Sequence, residues 1–192
     1  MTLQFKIKLK DSSKPPIWRK LLVPADLTFY EFHIAIQVAF GWYNAHLYEF
    51  TEGRGGMRIV DDVAQEWERS AATKQSDKVL LKRIFKQPKQ SLLYLYDFGD
   101  YWQHEIVLEK IHREVLPLPK VLDGKGTCPP EDCGGIHGYY EMVRQLSAPS
   151  SNPDVDYREW LGLEEGEEWE LDAFDLAKAN QNMILTFTEG AS

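Results

Sequence analysis

LLYLYDFGDYWQHEIVLE, residues 92–109, places two runs of strand-forming residues on either side of a Gly-Asp pair. Such a pair between apolar runs predicts the turn of a β-hairpin. A loop of even length pairs Asp97 with Trp102, and alternate residues of a strand share a face. The expected apolar face then carries Leu93, Leu95, Asp97, Trp102, His104, Ile106 and Leu108. Tyr96 points away from this face, whereas Asp97 and His104 need partners on it, because burying an unpaired polar group is costly.

The residues before this hairpin give clear secondary-structure signals. Alternation of apolar residues with lysine or glutamine over 3–10 predicts a half-buried strand, and residues 17–23 predict a second strand paired with it. Thr28 and Glu31 fit a capping box, in which the hydroxyl and the carboxylate accept hydrogen bonds from backbone amides. The helix that begins there keeps apolar residues at three-to-four spacing and ends at Gly41.

The stretch 116–135 is rich in proline and glycine and predicts a long irregular loop, since prolines remove hydrogen-bond donors and glycines reach positive φ. Free backbone amides in such a loop can satisfy a carboxylate. We therefore expect residues 128–138 to fold over the polar end of the hairpin. The remaining expected elements are helices at 139–146, 155–161 and 172–179, a short helix within 61–78, and a last strand or irregular arm at 183–187.

These elements predict an α+β fold, with a mixed, mostly antiparallel sheet and helices covering its one apolar face. A length of 192 residues suits a single domain, 1–192, with an acidic helical part at about 150–192. The segment 150–175 holds ten Asp and Glu residues against Arg158 alone, so the net charge of −8 is concentrated there. Acidic segments repel nucleic acid, whereas the lysines of 1–20 and 74–89 could attract it.

Composition excludes several classes of protein. A hydrophobic content of 43% excludes wholesale disorder. No apolar run approaches the roughly 18 residues that a membrane helix needs, and the opening residues MTLQFKIKLK do not resemble a signal peptide. Two cysteines cannot build a disulfide framework, so we expect a cytoplasmic protein.

Cys128, Cys133 and His137 are the strongest metal-ligand candidates in the sequence. Two thiolates and an imidazole could supply three ligands of a tetrahedral Zn²⁺, with His104 or a carboxylate as the fourth. The spacing is not that of the usual CxxC zinc knuckle. Paired buried thiols and a redox-labile loop are the alternative interpretations.

A ligand pocket is expected between the hairpin and the loop. Its candidate residues are Asp97, Asp100, Trp102, His104, Glu131 and Asp132. Their titratable groups could act as acid–base groups or as ligands of a hard metal in a hydrolase. Alternatively, Asp100 caps the turn while Asp97 and His104 form a satisfied core pair. We assign no catalytic residue, because the chain holds no GxSxG, HExxH, Walker A or GxGxxG motif.

Five motifs spread over nearly the whole chain stand out together. They are Pro15-Pro16-Ile17-Trp18-Arg19, Ala39-Phe40-Gly41-Trp42, His46-Leu47-Tyr48-Glu49-Phe50, Tyr94-x-Tyr96-Asp97-Phe98-Gly99-Asp100-x-Trp102-x-His104 and Cys128-Pro-Pro-Glu-Asp-Cys133-Gly-Gly-x-x-Gly138-Tyr139. In this order they resemble the plasmid pRiA-four-b ORF-three-like family. The resemblance implies an α+β fold without an established activity, and some members are described as passenger proteins of insertion elements. Many relatives have a further cysteine where this chain has Val121, which cannot replace a zinc ligand.

Three functions fit these observations. A binding or interaction module for a protein or small-molecule ligand comes first, since aromatic residues and a shaped loop suit recognition. A metal-dependent or acid–base hydrolase comes second. A nucleic-acid-binding accessory protein of a mobile element comes third, because the acidic balance disfavours nucleic acid as a partner.

Overall fold

The computed structural model describes residues 1–53, 56–61, 73–147 and 156–189. Its strands are β1 (Thr2–Leu9), β2 (Trp18–Pro24), β3 (Tyr48–Thr51), β4 (Arg58–Val60), β5 (Thr73–Gln75), β6 (Ser91–Tyr96), β7 (Trp102–His112) and β8 (Lys120–Lys125). Its helices are α1 (Phe29–Phe40), α2 (Leu81–Ile84), α3 (Gly135–Ser147), α4 (Tyr157–Leu161) and α5 (Leu176–Glu189). The short helix predicted within 61–78 falls largely on residues 62–72, which lie outside the described residues.

The eight strands of the described residues form one sheet in the order β5-β4-β3-β6-β7-β1-β2-β8. Neighbouring strands are antiparallel except β4 and β5, which are parallel. The predicted α+β fold with a mixed, mostly antiparallel sheet is therefore confirmed. None of the helices in the described part of the chain has the length and apolar character needed to cross a membrane.

One face of the sheet belongs to the core, and β1 illustrates why. The apolar residues of this strand, at most 1% exposed, are Leu3, Phe5, Ile7 and Leu9. Between them Lys8 is exposed on the opposite face, as side chains alternate along a strand. Helix α1 packs on the apolar face, where the rings of Phe5 and Phe32 lie 4.8 Å apart.

Helix α1 begins and ends where the sequence predicts. The Thr28 hydroxyl accepts a hydrogen bond from the Glu31 amide at 3.2 Å, and the Glu31 carboxylate accepts one from the Thr28 amide at 2.7 Å. Gly41 ends the helix at a φ of 95°, a left-handed conformation that favours glycine. The helix therefore delivers the following residues, 42–47, to one end of the β6–β7 hairpin.

The hairpin forms, but its predicted register is wrong by one residue. Tyr96 pairs with Trp102 and Tyr94 with His104, so the turn has five residues, 97–101, instead of an even number. Asp97 takes a left-handed φ of 57°, and its carbonyl accepts a hydrogen bond from the Tyr101 amide at 2.7 Å. Because a shift of one residue exchanges the faces of a strand, the two tyrosines share the core face with His104.

Two predictions for the residues after the hairpin are wrong. The stretch 116–135 is not irregular throughout, since β8 lies within it and pairs with β2. Residues 183–187 belong to α5 and form neither a strand nor an irregular arm. The two elements also contact each other, since the Asn180 side chain on α5 bonds the backbone N–H and C=O of Val121 at 3.0 and 2.9 Å. The helix thereby satisfies part of the outer edge of β8.

Arg19 is a buried cation on the core face of β2, with 2% of its surface exposed. Its guanidinium donates hydrogen bonds to the carbonyl oxygens of Ala39, Trp18, Lys125 and Gly126 at 2.8, 2.8, 2.9 and 3.0 Å. The ring of Phe174 stacks over it, with its centroid 4.1 Å from the guanidinium carbon. Arg19 thus joins β2 to α1, to β8 and to the segment before α5.

Candidate functional site

Three segments distant in sequence meet at the turn of the hairpin, and we call residues 42–47, 97–101 and 128–135 together the junction. The Trp42 indole donates a hydrogen bond to the Pro129 carbonyl at 3.0 Å. The Asp100 carboxylate accepts one from the Gly134 amide at 3.1 Å, and the Asp97 amide donates to a carbonyl of the first segment at 2.9 Å. The prediction that residues 128–138 fold over the hairpin is therefore confirmed.

Glycine is required where α3 begins, because two backbones meet there without room for a side chain. A Cβ on Gly135 would lie 2.3 Å from the Asp100 carbonyl oxygen, and one on Gly138 would lie 1.9 Å from the Cys133 carbonyl oxygen. Real side chains do not make such contacts. These glycines therefore set how closely α3 approaches the turn of the hairpin.

Tyr96 connects all three segments of the junction. Its hydroxyl donates to the Glu131 carboxylate at 2.5 Å and accepts from the Ala45 amide at 3.0 Å. The same carboxylate accepts a bond from the Tyr43 amide at 3.3 Å. Burial and the neighbouring carboxylate raise the pKa of Tyr96 well above its usual range, so the phenol remains a donor. The prediction that Tyr96 points away from the face of His104 was wrong, because it rested on the wrong hairpin register.

His46, Asp97 and Asp132 bring three potential metal ligands together at the surface of the junction. His46 Nε2 lies 3.7 Å from Asp97 Oδ2 and 3.4 Å from Asp132 Oδ1. Within the described residues, this is the one group of three or more His, Cys, Asp or Glu whose ligand atoms lie close together, all within 4.8 Å. His46 was not among the residues predicted from the sequence, although it begins the motif His46-Leu47-Tyr48-Glu49-Phe50.

The other predicted pocket residues divide between the junction and the core. Asp100 and Glu131 lie in the junction, whereas Trp102 and His104 are 1% and 0% exposed within the core. The predicted pairing of Asp97 with His104 does not form. His104 Nδ1 instead lies 3.1 Å from the Trp102 carbonyl oxygen. Burial lowers the pKa of His104 to about 3, so the imidazole is neutral at ordinary pH.

The structure does not assemble the predicted zinc ligands Cys128, Cys133, His137 and His104. His137 is exposed on α3, whereas Cys133 is 8% exposed and His104 is fully buried. Burial raises the pKa of Cys133 to about 12 and that of Cys128 further still. Within the described residues, the one close group of His, Cys, Asp or Glu ligand atoms contains neither cysteine. Cys128 instead lines a separate cleft of about 310 Å³ beside Arg19 and Phe174.

The sheet, the helices on its core face and the junction together define an α+β protein in which three segments meet at the turn of one hairpin. Comparison with known proteins places the chain in a family: it belongs to the family described as plasmid pRiA4b ORF-3-like protein, whose model matches residues 1–178. The family resemblance predicted from the five sequence motifs is confirmed.

Two relatives extend this result without giving a function. The uncharacterized protein y4hQ of Sinorhizobium fredii (strain NBRC 101917 / NGR234) is 33% identical over 175 residues, which cover 91% of this chain and 84% of the relative. The crystal structure of MM3350, a protein of unknown function from Methanosarcina mazei Go1, matches with a TM-score of 0.71 at 32% identity. That match covers 91% of this chain and 95% of the other.

Proposed function

We propose that the protein is a binding module whose ligand is held at the junction. The observation that carries this proposal is the way three distant segments are fixed to one another by side-chain hydrogen bonds. Tyr96 bonds the backbone of 42–47, and Trp42 and Asp100 both bond the backbone of 128–135. Loops positioned in this way on a sheet are a common location for recognition, and a preformed surface loses little entropy on binding.

Exposed apolar side chains around the junction support this proposal. They are Tyr43, Tyr101, Phe98 and Leu47, with 86%, 58%, 46% and 37% of their surface accessible. Large aromatic side chains supply most of the binding energy at many interfaces. All four belong to the two segments that carry His46 and Asp97, so a ligand of either residue would lie beside them.

The charge of the junction narrows the class of ligand. The carboxylates of Asp97, Asp100, Glu131 and Asp132 form no ion pair with Lys or Arg in the described part of the chain. Such a surface attracts cations and repels phosphate backbones. A protein or small-molecule ligand bearing positive charge therefore fits better than nucleic acid, and the scarcity of cysteine agrees with action in the cytoplasm.

A metal-dependent or acid–base hydrolase is the second candidate, and the position of His46 between Asp97 and Asp132 favours it. An imidazole with two carboxylates is a common donor set for proton transfer and for metal-assisted hydrolysis. Turnover of p-nitrophenyl phosphate or p-nitrophenyl acetate that disappears in His46→Gln would support this candidate. Equal turnover in that variant would remove it.

A fragment screen by amide NMR tests the binding proposal with named probes, which are small aromatic amines, aromatic acids and neutral aromatics. We expect the aromatic amines to shift the NMR signals of junction amides more than those of amides on any other exposed surface. Tyr43→Ala should weaken the binding of the best fragment by about fivefold or more, as hot-spot truncations do. Tyr30→Ala is the matched control, because this exposed tyrosine lies on α1 roughly 15 Å from the end that leads to the junction.

Two results would contradict the proposal. One is a set of fragments that shift amides only around the cleft beside Arg19 and Phe174. The other is an affinity that Tyr43→Ala and Tyr30→Ala leave equally unchanged, since the exposed aromatic surface would then have no part in binding.

A further inference from the structure

We infer that His46, Asp97 and Asp132 bind a divalent transition-metal ion. This inference rests on the proposed binding function, because the ion is then part of what the junction holds. It assigns the chemical class of the ligand and the three atoms that contact it: His46 Nε2, one oxygen of Asp97 and one of Asp132.

The distances between the ligand atoms fit a shared ion better than direct hydrogen bonds. Separations of 3.4 and 3.7 Å from His46 Nε2 to the two carboxylate oxygens exceed the usual range for a hydrogen bond. In a tetrahedral site with metal–ligand bonds of about 2.1 Å, neighbouring ligand atoms lie about 3.4 Å apart. All three ligand atoms lie within 4.8 Å of one another, so one ion can contact all three once the side chains move closer together.

The buried ring nitrogen of His46 is an independent observation that points to a ligand. His46 Nε2 is shielded from solvent and has no hydrogen-bond partner, although 29% of the side chain as a whole is accessible. Shielded polar atoms almost always have a partner in folded proteins. Here the unpartnered atom faces two carboxylates, and imidazole Nε2 is a common metal ligand.

The surrounding chain already orients Asp97 for this role. Its Oδ1 accepts a hydrogen bond from the Gly99 amide at 2.8 Å, which leaves Oδ2 directed toward His46. The Asp97 amide is itself fixed to the Leu47 carbonyl at 2.9 Å. Outer hydrogen bonds of this kind hold metal ligands in place and typically change affinity by about 10- to 100-fold when removed.

The donor set selects the class of ion. One imidazole nitrogen with two carboxylate oxygens suits Zn²⁺, Mn²⁺ or Fe²⁺, whereas Ca²⁺ and Mg²⁺ prefer sites built from oxygen alone. Asp132 has 75% of its side chain accessible, so the site opens to solvent on that side. Three protein ligands leave positions free, and these positions can take a carboxylate, an amine or a water from outside the chain.

Titration of chelator-treated, untagged protein with ZnCl₂, MnCl₂ and MgCl₂ by calorimetry tests the inference. We expect Zn²⁺ to bind at a single site, and Mg²⁺ to bind at least about tenfold more weakly. His46→Gln and Asp132→Asn should each weaken Zn²⁺ binding by about tenfold or more. Asp172→Asn is the matched control, because its side chain is 71% accessible and lies outside the junction, so this variant should keep the original affinity.

Cys133→Ser is the second control, since it distinguishes this site from one built on the cysteines. Zn²⁺ binding that is lost in Cys133→Ser and retained in His46→Gln would overturn the inference. If the protein binds no Zn²⁺ even at about millimolar metal, any affinity is weaker than that of ordinary protein sites. That result would overturn the inference as well. Circular dichroism of each variant confirms that a loss of binding does not reflect a loss of fold.

The metal inference and the broader proposal can fail separately. Fragments that bind the junction of a protein unable to bind Zn²⁺ overturn the metal inference and support the binding function. If Zn²⁺ binds through His46 but Tyr43→Ala leaves the affinity for fragments unchanged, the metal site is supported. The exposed aromatic surface then has no part in the binding function. Failure of both measurements overturns both.

Discussion

Arg19 and His46 are two polar side chains next to the same core, but they differ in how many of their polar atoms form hydrogen bonds. Arg19 has four hydrogen bonds to backbone carbonyls and lies between the rings of Phe40 and Phe174. Burial lowers the pKa of its guanidinium to about 10, so it is still charged at neutral pH. His46 Nε2 has no hydrogen bond. The fold uses four of the five N–H donors of Arg19 in bonds to its own backbone, whereas the ring nitrogen of His46 has no such bond.

The substitution Arg19→Met gives the largest effect expected from this comparison. The methionine side chain would fill similar space but leave the carbonyls of Ala39, Lys125 and Gly126 without their donor. Orphaned buried groups cost about 1–3 kcal/mol each, so we expect a loss on the order of 4 kcal/mol in the free energy of unfolding. Urea denaturation measures it. A loss below about 1 kcal/mol would mean that these carbonyls find other partners.

The fold could be read from local patterns, because those patterns act over a few residues. The capping box at Thr28 and the alternation of β1 depend on neighbours in the sequence, and both are confirmed. The hairpin register could not be read in this way. It depends on whether Asp97 adopts a left-handed φ, which the Gly-Asp pair two and three residues later does not determine.

The candidate site was only partly predictable for a related reason. Asp97 and Asp132 belong to conspicuous motifs, so the sequence singles them out as polar residues at the hairpin and the loop. His46 becomes informative only after α1, the hairpin and the loop bring it to within 3.4 Å of Asp132. The cysteines stand out in the sequence by their chemistry, but the close group of ligand atoms in the described residues contains neither of them.

The two buried core histidines make the stability of the protein depend on pH. Burial lowers the pKa of His33 to about 4 and that of His104 to about 3. The pKa of a histidine in the unfolded chain is about 6.5. The unfolded chain therefore binds more protons below that pH. The stability that these groups contribute is complete above about pH 6.5 and is lost as the pH falls toward the folded pKa values.

We expect the free energy of unfolding to fall by about 2 kcal/mol between about pH 6.5 and pH 5.5, with the two histidines contributing similarly. Urea denaturation at several pH values measures this dependence. His104→Gln should remove about half of the slope, because glutamine does not titrate. An unchanged slope in that variant would show that other groups govern the acid sensitivity.

Replacement of Asp132 by asparagine gives the smallest expected effect. The Asp132 side chain is 75% accessible and lies beyond hydrogen-bond distance from His46. In metal-free buffer we therefore expect the free energy of unfolding to change by less than about 0.5 kcal/mol. Thermal and urea denaturation check this value. A loss above about 1 kcal/mol would make Asp132 part of the framework, as Arg19 is, and would weaken the contrast between the two residues.

The partners of Arg19 also determine when this residue can become buried during synthesis. Lys125 and Gly126 follow it by 106 and 107 residues, so β2 leaves the ribosome long before the carbonyls that its guanidinium needs. Until those residues emerge, the charge must stay hydrated and the β1–β2 pair cannot complete its packing. Contacts between such distant residues slow folding. We therefore expect the guanidinium, although it is made more than a hundred residues before two of its acceptors, to be among the last groups to leave water.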